Sequence, residues 1–432
     1  MRYDTIMTTE AGLITGNLYH MLSRWFLPGG LFHSSCDSNN MEYIGANTST
    51  VKGSSIGTDK HSAVQSAIGE FCERYCAAQQ VASRLTVASY VQLVDQHGQE
   101  AVFSPDAYQL YAAWQYEDPT FPYRPYLPED PIAWVRGRNM LNEQPIWIPA
   151  FLVYMPHNAV RYDRGSQYAL CTSTGIATGR TLAEAIRGGF LECAERHAFA
   201  SFWYKQLTLP AMPTYAAATV LAAYPEDEWI QRLYTNPRVH LQVFDLGSLA
   251  PVETIVVFLR YRYKNKERLS MGAASRFTKA EALIKAALEA YQGVEYGILL
   301  DKQEHEWTTN EENYANVNDF HMHFLFYNRF PELQAQVPIY TQVYASANAD
   351  SMQVYEGPER MTSMADIGHA GLNQVLAVEL TTADVRDLGL HVVRVLTPSW
   401  AYLTGMHDRP FLGAPVFQDG TALFTQLPHP FP

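Results

Sequence analysis

Two segments of the chain repeat one pattern of charged residues inside stretches that otherwise have the periodicity of buried helices. The pattern is Glu-x-x-Glu-Arg, and it occurs in SAIGEFCER (66–74) and again in LECAERH (191–197). Composition predicts only roughly a tenth of one such match in a chain of this length. A fold for this sequence must therefore place carboxylates on helices that are apolar on most of their other sides.

Three helices are predicted, and each has a polar stripe. Apolar periodicity covers 61–80, 181–204 and 278–300, and the second and third begin with a Thr-x-x-Glu capping box. Positions i, i+4, i+7 and i+8 lie on one face of a helix, at about 100° per residue. The stripe residues are, in chain order, Ser66, Glu70, Glu73 and Arg74; Glu192, Glu195 and Arg196; and Lys285, Glu289 and Gln292.

A glycine-bearing segment precedes each helix, which predicts a loop–helix unit used three times. Alternating apolar stretches predict strands elsewhere, so the expected fold class is α+β. Candidate breaks between domains are the proline-rich stretch 105–131 and 223–229. The glycine-bearing segments are 53–60, 172–180 and 271–277, and the predicted strands are 251–263 and 390–397.

Composition excludes several classes of function. The net charge is −13, with 44 acidic and 31 basic residues and no polybasic run, which argues against nucleic acid as a partner. No apolar run approaches the roughly 18 residues that span a membrane, and residues 1–16 lack the apolar core of a signal peptide. The five cysteines fit a reduced, cytoplasmic setting.

The charged stripes allow two interpretations. Glu and Arg at helical spacing most often form a solvated face, with pairs that contribute a few tenths of a kcal/mol each. Crowded, buried carboxylates instead need positive charge nearby, and carboxylates are natural ligands of Mg²⁺, which usually arrives with phosphate. The duplicated pattern favours an ATP–Mg²⁺ site, with Glu70, Glu73, Glu192 and Glu195 as candidate metal ligands.

Other motifs carry less weight. The sequence has no Walker loop, no G-x-G-x-x-G and no G-x-S-x-G nucleophile elbow. GIATG (175–179) is glycine-spaced, but alone it is a weak signal for nucleotide binding, and a turn would explain it equally. HMH (321–323) places two histidines on one side of a possible strand without an obvious third ligand. Cys72 and Cys76 lie one helical turn apart and are expected to pack as small hydrophobes rather than bind metal.

From about residue 30 onward, the sequence resembles the YcaO family. The resemblance is carried by SAIGEFCER, by STGIATGRTLAEAIRGGFLECAERHAF and by ALIKAALEAYQ, in that order. It implies a YcaO-like fold of mixed sheets and helices in which the stripe residues bind ATP and their glutamates hold Mg²⁺. Four positions depart from the family's pattern: Ile56 replaces a lysine for which Lys60 could substitute, and the others are Gly188, His197 and Lys285.

The last residues, LPHPFP, narrow the resemblance to azoline-forming members. A P-x-P-x-P tail formed by Pro428, Pro430 and Pro432 is stiff and extended. In an arbitrary protein such an end would be frayed, but here we expect a tail (421–432) that reaches the active site of a catalytic domain (1–420). The resemblance implies that the Pro432 carboxylate accepts a proton, with His197 a weaker candidate.

The activity implied is ATP-dependent cyclodehydration of Cys, Ser or Thr in a ribosomally made precursor peptide, giving thiazolines or oxazolines. The implied partners are a separate E1-like, ocin-ThiF-like leader-binding protein and an FMN-dependent azoline dehydrogenase, with the chain a homodimer or part of a hetero-oligomeric synthetase. The alternatives are thioamide or amidine formation, an acylphosphate-forming ligase or kinase, and a non-catalytic scaffold.

Overall fold

A computed structural model describes residues 6–7, 12–22, 24, 26–46, 48–107, 109–157, 163, 165–302, 314–353, 357 and 359–432. Much of the N-terminal stretch assessed for a signal peptide, namely residues 1–5 and 8–11, lies outside this part of the chain. Within it, no helix is long and apolar enough to cross a membrane.

The chain alternates antiparallel strands with helices. The strands are β1 (Ile14–Met21), β2 (Phe32–Ser38), β3 (Lys52–Gly57), β4 (Thr86–Ala88), β5 (Ile132–Asn139), β6 (Pro145–Pro149), β7 (Ile176–Gly179), β8 (Thr214–Ala216), β9 (Val239–Asp245), β10 (Glu253–Tyr263), β11 (Lys266–Arg276), β12 (Leu376–Glu379) and β13 (His391–Leu396). The helices are α1 (Lys60–Ala78), α2 (Tyr90–His97), α3 (Leu182–Tyr204), α4 (Ala217–Ala223), α5 (Glu228–Tyr234), α6 (Lys279–Lys302), α7 (Phe320–Arg329), α8 (Pro338–Tyr344) and α9 (Ala383–Asp387). This is the α+β class expected from the sequence.

The chain divides into two compact units, and α3 runs from one into the other. The first unit contains 1–21, 32–193 and 372–400, and the second contains 22–31, 194–371 and 401–432. Neither of the two stretches expected as domain breaks separates them, because 105–131 lies inside the first unit and 223–229 inside the second.

The first unit contains two antiparallel sheets. One has the order β1-β2-β3, and the other has the order β4-β5-β12-β13-β7 with β6 paired to β5. Helix α1 packs on β2 and β3, and its apolar side, including Ala67, Ile68 and Phe71, is fully buried. Cys72 and Cys76 are also fully buried on this helix, which confirms that they pack as small hydrophobes.

The second unit contains one antiparallel sheet with the order β11-β10-β9-β8. Strands β10 and β11 pair along their whole length, from Glu253 with Arg276 to Tyr263 with Lys266. Helix α6 packs on β10 and β11, and α5 and α7 pack on α6. The core of this sheet is apolar, since all of Ile255–Leu259 in β10 are buried.

Each of the three predicted helices follows a strand at the edge of a sheet: α1 follows β3, α3 follows β7 and α6 follows β11. The helices were correctly predicted, but the expected loops before them are wrong. Each glycine-bearing segment contains part or all of a strand (β3, β7 or β11), and glycine is required where helix and strand approach closely. A Cβ on Gly53 would lie 2.0 Å from the carbonyl oxygen of Ala67, and one on Gly272 would lie 2.2 Å from that of Ala286.

Two smaller predictions were also wrong. HMH lies in α7 rather than in a strand, so His321 and His323 point in different directions, because residues two apart on a helix do not share a face. GIATG is a turn only at Gly175, which has a φ of 85°, and its remaining residues form β7. The predicted strands at 251–263 and 390–397 are confirmed as β10 and β13.

Candidate functional site

Helix α1 begins at a side-chain cap and positions its two glutamates at the middle of the helix. The Asp59 carboxylate accepts the Ser62 N–H at 2.9 Å, which satisfies one of the free amides of the first turn. Glu70 and Glu73 lie three residues apart on the face that turns toward the edge strands. The contact of α1 with Gly53 fixes the height of this face above β3.

The three stripe glutamates of the first unit accept hydrogen bonds from main-chain amides at or beside edge strands. Glu70 Oε2 accepts the Ser54 N–H of β3 at 2.9 Å. Glu73 Oε1 accepts the Thr178 N–H of β7, also at 2.9 Å. Glu192 Oε2 accepts the N–H of Gly175, the residue before β7, at 3.0 Å. These bonds satisfy edge amides that no neighbouring strand pairs, and they fix the orientation of each carboxylate.

We call Glu70, Glu73, Arg74 and Glu192 the first cluster, and it has more negative charge than its own cation balances. Burial, followed by the neighbouring carboxylates of Glu192 and Glu70, raises the pKa of Glu73 to about 8. The Arg74 guanidinium lowers the pKa of Glu73 in part. It also forms an ion pair with Glu70, its i,i+4 partner, at 3.6 Å. In the part of the chain that the structure describes, Glu73 Oε2 has no hydrogen bond.

The first cluster fits a divalent cation that brings further ligands with it. Each of its carboxylates accepts a main-chain amide on one oxygen, and burial followed by repulsion from Glu192 and Glu70 raises the pKa of Glu73. Among the described residues, no three His, Cys, Asp or Glu side chains are grouped so that they could hold a metal ion by themselves. Mg²⁺ usually takes one or two carboxylates together with water and substrate phosphates.

The raised pKa of Glu73 predicts how the metal-free protein responds to pH. The folded protein holds a proton on Glu73 between the ordinary pKa of 4.5 and about 8, whereas the unfolded chain does not. The stability that depends on this Glu73 proton is therefore fully present below pH 4.5 and is lost as the pH rises through about 8. Glu73→Gln, which needs no proton, is expected to unfold at a higher temperature than the native protein at pH 9 in EDTA.

The comparison is made by thermal unfolding at pH 6 and pH 9. The gap between Glu73→Gln and the native protein should widen with pH in EDTA and shrink when Mg²⁺ and nucleotide are added. Glu184→Gln is the control, because Glu184 is exposed in the first turn of α3 and only caps the helix through the Arg180 and Thr181 positions. If the difference in unfolding temperature did not depend on pH, the raised pKa of Glu73 would be contradicted.

The second unit contains a matching arrangement, which we call the second cluster: Glu195 and Arg196 on α3. Glu195 is 7 % exposed, and its Oε2 accepts the Ser275 N–H of edge strand β11 at 3.3 Å. Its other oxygen accepts a hydrogen bond from Arg196. Glu192 and Glu195 of α3 therefore both accept main-chain amides.

The third helix carries the third cluster: Lys285, Glu289 and Gln292 on α6. Lys285 Nζ lies 3.0 Å from Glu289 Oε1. In α1 and in α6, the stripe residues follow the glycine of the preceding strand by the same number of positions along the chain. Ala67 follows Gly53 by 14 residues and Ala286 follows Gly272 by 14, so Ser66 corresponds to Lys285, Glu70 to Glu289 and Glu73 to Gln292.

Ile56 stands where the family's pattern has a lysine, and the structure shows where Ile56 and its candidate substitute, Lys60, lie. Ile56 is buried, and Lys60 begins α1 with its Nζ 3.8 Å from the centre of the Tyr19 ring. Lys60 and Glu70 are about 15 Å apart along the helix axis, at 1.5 Å per residue. Lys60 therefore has the least geometric support of the candidate residues. Ser66, on the same helix, is exposed.

Gly188 and His197 both lie at close contacts. A Cβ on Gly188 would be 3.2 Å from the Ala177 Cβ of β7, so a larger side chain would have to displace this strand slightly. His197 Nδ1 accepts the Ala401 N–H at 3.0 Å. Burial lowers the pKa of His197 to about 4, so the ring is neutral at pH 7 and is a weak base.

The proline tail is packed inside the second unit. Leu427 to Phe431 are buried and Pro432 is exposed. The Tyr327 hydroxyl donates to the Pro428 carbonyl at 2.8 Å, and His323 Nδ1 donates to the His429 carbonyl at 2.9 Å. The tail is therefore fixed by side chains of α7.

Sequence reasoning missed the residues that hold the tail and the glutamates. His429 and Phe431 alternate with the prolines, and the available signal was this pair of aromatic side chains in a stiff, extended segment. The amides of Ser54, Thr178 and Ser275 had no signal, because any residue type supplies a main-chain N–H.

Comparison with known proteins identifies relatives at the level of family and fold. The family model described as YcaO cyclodehydratase, ATP- and Mg²⁺-binding, matches residues 54–401. No curated protein matches the chain in sequence.

Solved structures share the fold at low sequence identity. A heterocyclase in complex with substrate and cofactor is 20 % identical, with a TM-score of 0.65, and the match covers 93 % of this chain and 51 % of that one. The chain thus spans about half the length of that heterocyclase.

Two other solved structures match over most of both chains. A chain of the E. coli microcin synthetase McbBCD complex is 15 % identical with a TM-score of 0.65, and the match covers 96 % of each chain. YcaO from Methanopyrus kandleri, bound with AMPPCP and Mg²⁺, is 17 % identical with a TM-score of 0.55, covering 90 % of this chain and 86 % of that one.

Proposed function

Because the chain belongs to the YcaO family, we propose that it catalyses ATP-dependent cyclodehydration of a ribosomally made precursor peptide. The products are thiazolines from Cys and oxazolines from Ser or Thr. The observation that carries the proposal is the first cluster, in which main-chain amides orient the carboxylates, and burial, followed by the neighbouring carboxylates, raises the pKa of Glu73 to about 8. Such a cluster suits Mg²⁺ and a polyphosphate better than it suits a salt-bridged surface.

The proposed nucleotide-binding residues come from all three clusters. Glu70, Glu73, Glu192 and Glu195 would hold Mg²⁺, which supplies neutralisation of phosphate charge when bound. The cations of the clusters and the polar residues Ser66 and Gln292 would contact the nucleotide. The full proposed set is Lys60, Ser66, Glu70, Glu73, Arg74, Glu192, Glu195, Arg196, Lys285, Glu289 and Gln292.

The proposed reaction moves one oxygen from the peptide to phosphate. The side-chain sulfur or oxygen of a substrate Cys, Ser or Thr attacks the preceding amide carbonyl, and its proton is removed. The former amide oxygen then takes the γ-phosphoryl group of ATP and ADP leaves, after which loss of phosphate and of the amide proton forms the C=N bond of the azoline. Transfer of this kind depends mainly on positioning and charge neutralisation, which Arg74, Arg196 and the oriented carboxylates would provide.

The tail is proposed to contribute to the proton transfers. Pro428 and Pro430 stiffen a buried segment whose last residue, Pro432, is exposed. The packing of this segment supports a fixed rather than a frayed tail. A proton-accepting role for the Pro432 carboxylate remains a prediction from the sequence. His197 is a weaker candidate, since burial lowers its pKa to about 4.

The proposal is tested by reconstitution with a precursor peptide and the leader-binding protein encoded beside it. We expect the peptide to lose about 18 Da for each modified residue, with ATP consumed in proportion. A gain of about 16 Da would indicate thioamide formation instead, and no Mg²⁺-dependent nucleotide binding by the pure protein would favour a scaffold role.

The proposed partners follow from the same reaction. A leader-binding E1-like protein would present the precursor peptide, and an FMN-dependent dehydrogenase would oxidise azolines to azoles. A complex with other polypeptides is in keeping with the match to a chain of a microcin synthetase complex. Mixing experiments with and without the leader-binding protein show whether the chain modifies peptide unaided.

A further inference from the structure

The buried end of the tail contacts the second cluster through one aromatic ring. The Arg196 Cζ lies 4.3 Å from the centre of the Phe431 ring, within the distance at which a guanidinium is attracted to an aromatic face. Phe431 is 3 % exposed. Its ring also packs edge-on against Phe199 of α3, with ring centres 4.8 Å apart. The ring is thus fixed on one side by α3 and offers its face to Arg196.

This contact holds the guanidinium by attraction between its charge and the ring face. The ring has no oxygen acceptor, so it does not compete with carboxylate or phosphate oxygens for the N–H groups of Arg196. One donor of Arg196 is on Glu195. Packing by Phe431 therefore restricts the rotation of Arg196 and sets the direction in which its N–H groups point.

The tail that carries Phe431 is itself held in one conformation. The His429 and His323 rings stack with centres 3.9 Å apart, and His429 is 1 % exposed. His429 Nε2 donates to the Thr404 carbonyl at 3.2 Å, and its Nδ1 accepts the Phe431 N–H at 3.3 Å. Phe431 is thus anchored through its own main chain as well as through its ring.

From these contacts we infer that Phe431 is a positioning residue for nucleotide binding, which holds Arg196 in the orientation that contacts the ATP phosphates. The side chains between the prolines, rather than the prolines alone, then link the tail to the nucleotide site. This inference rests on the proposed function, because it takes ATP as the ligand of Arg196. It assigns to the tail an effect on ATP affinity that is separate from any role of Pro432 in proton transfer.

The test compares Phe431→Leu with two matched variants. Phe431→Leu keeps an apolar side chain but removes the ring face, and Phe431→Tyr keeps it. Phe424→Leu is the control, since Phe424 is a buried ring of the same C-terminal segment that packs edge-on against Trp203, with ring centres 5.7 Å apart. The dissociation constant for AMPPCP with Mg²⁺ is measured by calorimetry, and kcat for azoline formation by mass spectrometry.

We expect Phe431→Leu to weaken AMPPCP binding about 5- to 10-fold, in the range of a cation–π contact, and to change kcat at saturating ATP less than about twofold. Phe431→Tyr and Phe424→Leu should bind within about twofold of the native protein. In an Arg196→Gln background, Phe431→Leu should have almost no further effect, because the contact is already lost.

The inference is overturned if Phe431→Leu binds AMPPCP as the native protein does, or if Phe424→Leu weakens binding equally, since the effect would then be general loosening of the fold. Equal loss from Phe431→Leu with and without Arg196 would also overturn it. If the native protein itself binds no AMPPCP with Mg²⁺, the proposed function fails, and that result is distinct from all of these.

Discussion

Glu73→Gln is expected to lower the rate of ATP-dependent azoline formation by at least about 100-fold. The amide keeps the size of the side chain and can still accept the Thr178 N–H that Glu73 accepts at 2.9 Å. It removes the negative charge that a divalent cation requires, so the loss should appear in Mg²⁺-dependent nucleotide binding as well as in turnover. The measurements are calorimetry with AMPPCP and Mg²⁺, and the 18 Da loss of the precursor peptide.

Glu195→Gln should behave in the same way, because its carboxylate is also buried and bound to a main-chain amide, that of Ser275. Glu184→Gln is the matched control on α3 and should keep the native rate within about twofold. The metal-site assignment would be wrong if Glu73→Gln turned over peptide at the native rate. Unfolding temperatures identify any loss of rate that comes only from misfolding. The unfolding temperature of Glu73→Gln is expected to be no lower than that of the native protein.

Removal of Pro432 is expected to lower the rate of azoline formation strongly while nucleotide binding is kept. Azoline formation should fall about 100-fold, the range of general acid–base catalysis, while the affinity for AMPPCP and Mg²⁺ stays within about threefold. The reason is that Phe431 remains in the shortened tail, and the contact of its ring with Arg196 is preserved. Rates are measured at saturating ATP by peptide mass.

Addition of one glycine after Pro432 is the companion experiment. It keeps every side chain and moves the carboxylate by about 3.5 Å, so a proton-transfer role predicts a similar loss of rate. Equal losses of rate and of nucleotide affinity in both variants would contradict a separate role for Pro432. Phe431→Leu should show the reverse pattern, with affinity affected and the rate at saturating ATP kept.

Much of the site could be predicted from the sequence because helical patterns are local. The stripe Ser66, Glu70 and Glu73 depends only on a periodicity of 3.6 residues, and its helix is present within two residues of each predicted end. The strands before the helices were harder to predict. Glycine at positions 53 and 272 suggested loops. In the structure these positions are in strands, and a side chain there would have its Cβ about 2 Å from a helix carbonyl oxygen.

The conformation of the tail could not be predicted in the same way. Pro428, Pro430 and Pro432 make any chain stiff, in solution or docked. Burial of this segment depends on Tyr327 and His323, which precede it by about a hundred residues and lie on a helix that the sequence suggested was a strand. Nothing in the local pattern of the tail reports those partners.

The sequence by itself determined which charged residues the helices carry and on which faces, because side-chain direction on a helix follows from spacing alone. The tertiary structure decided what each carboxylate binds. Glu73 accepts the amide of Thr178, 105 residues away, and Glu195 accepts that of Ser275, 80 residues away. Such pairs depend on which strand lies at the edge of a sheet, and main-chain amides are the same for almost every residue type. A sequence pattern therefore cannot encode them.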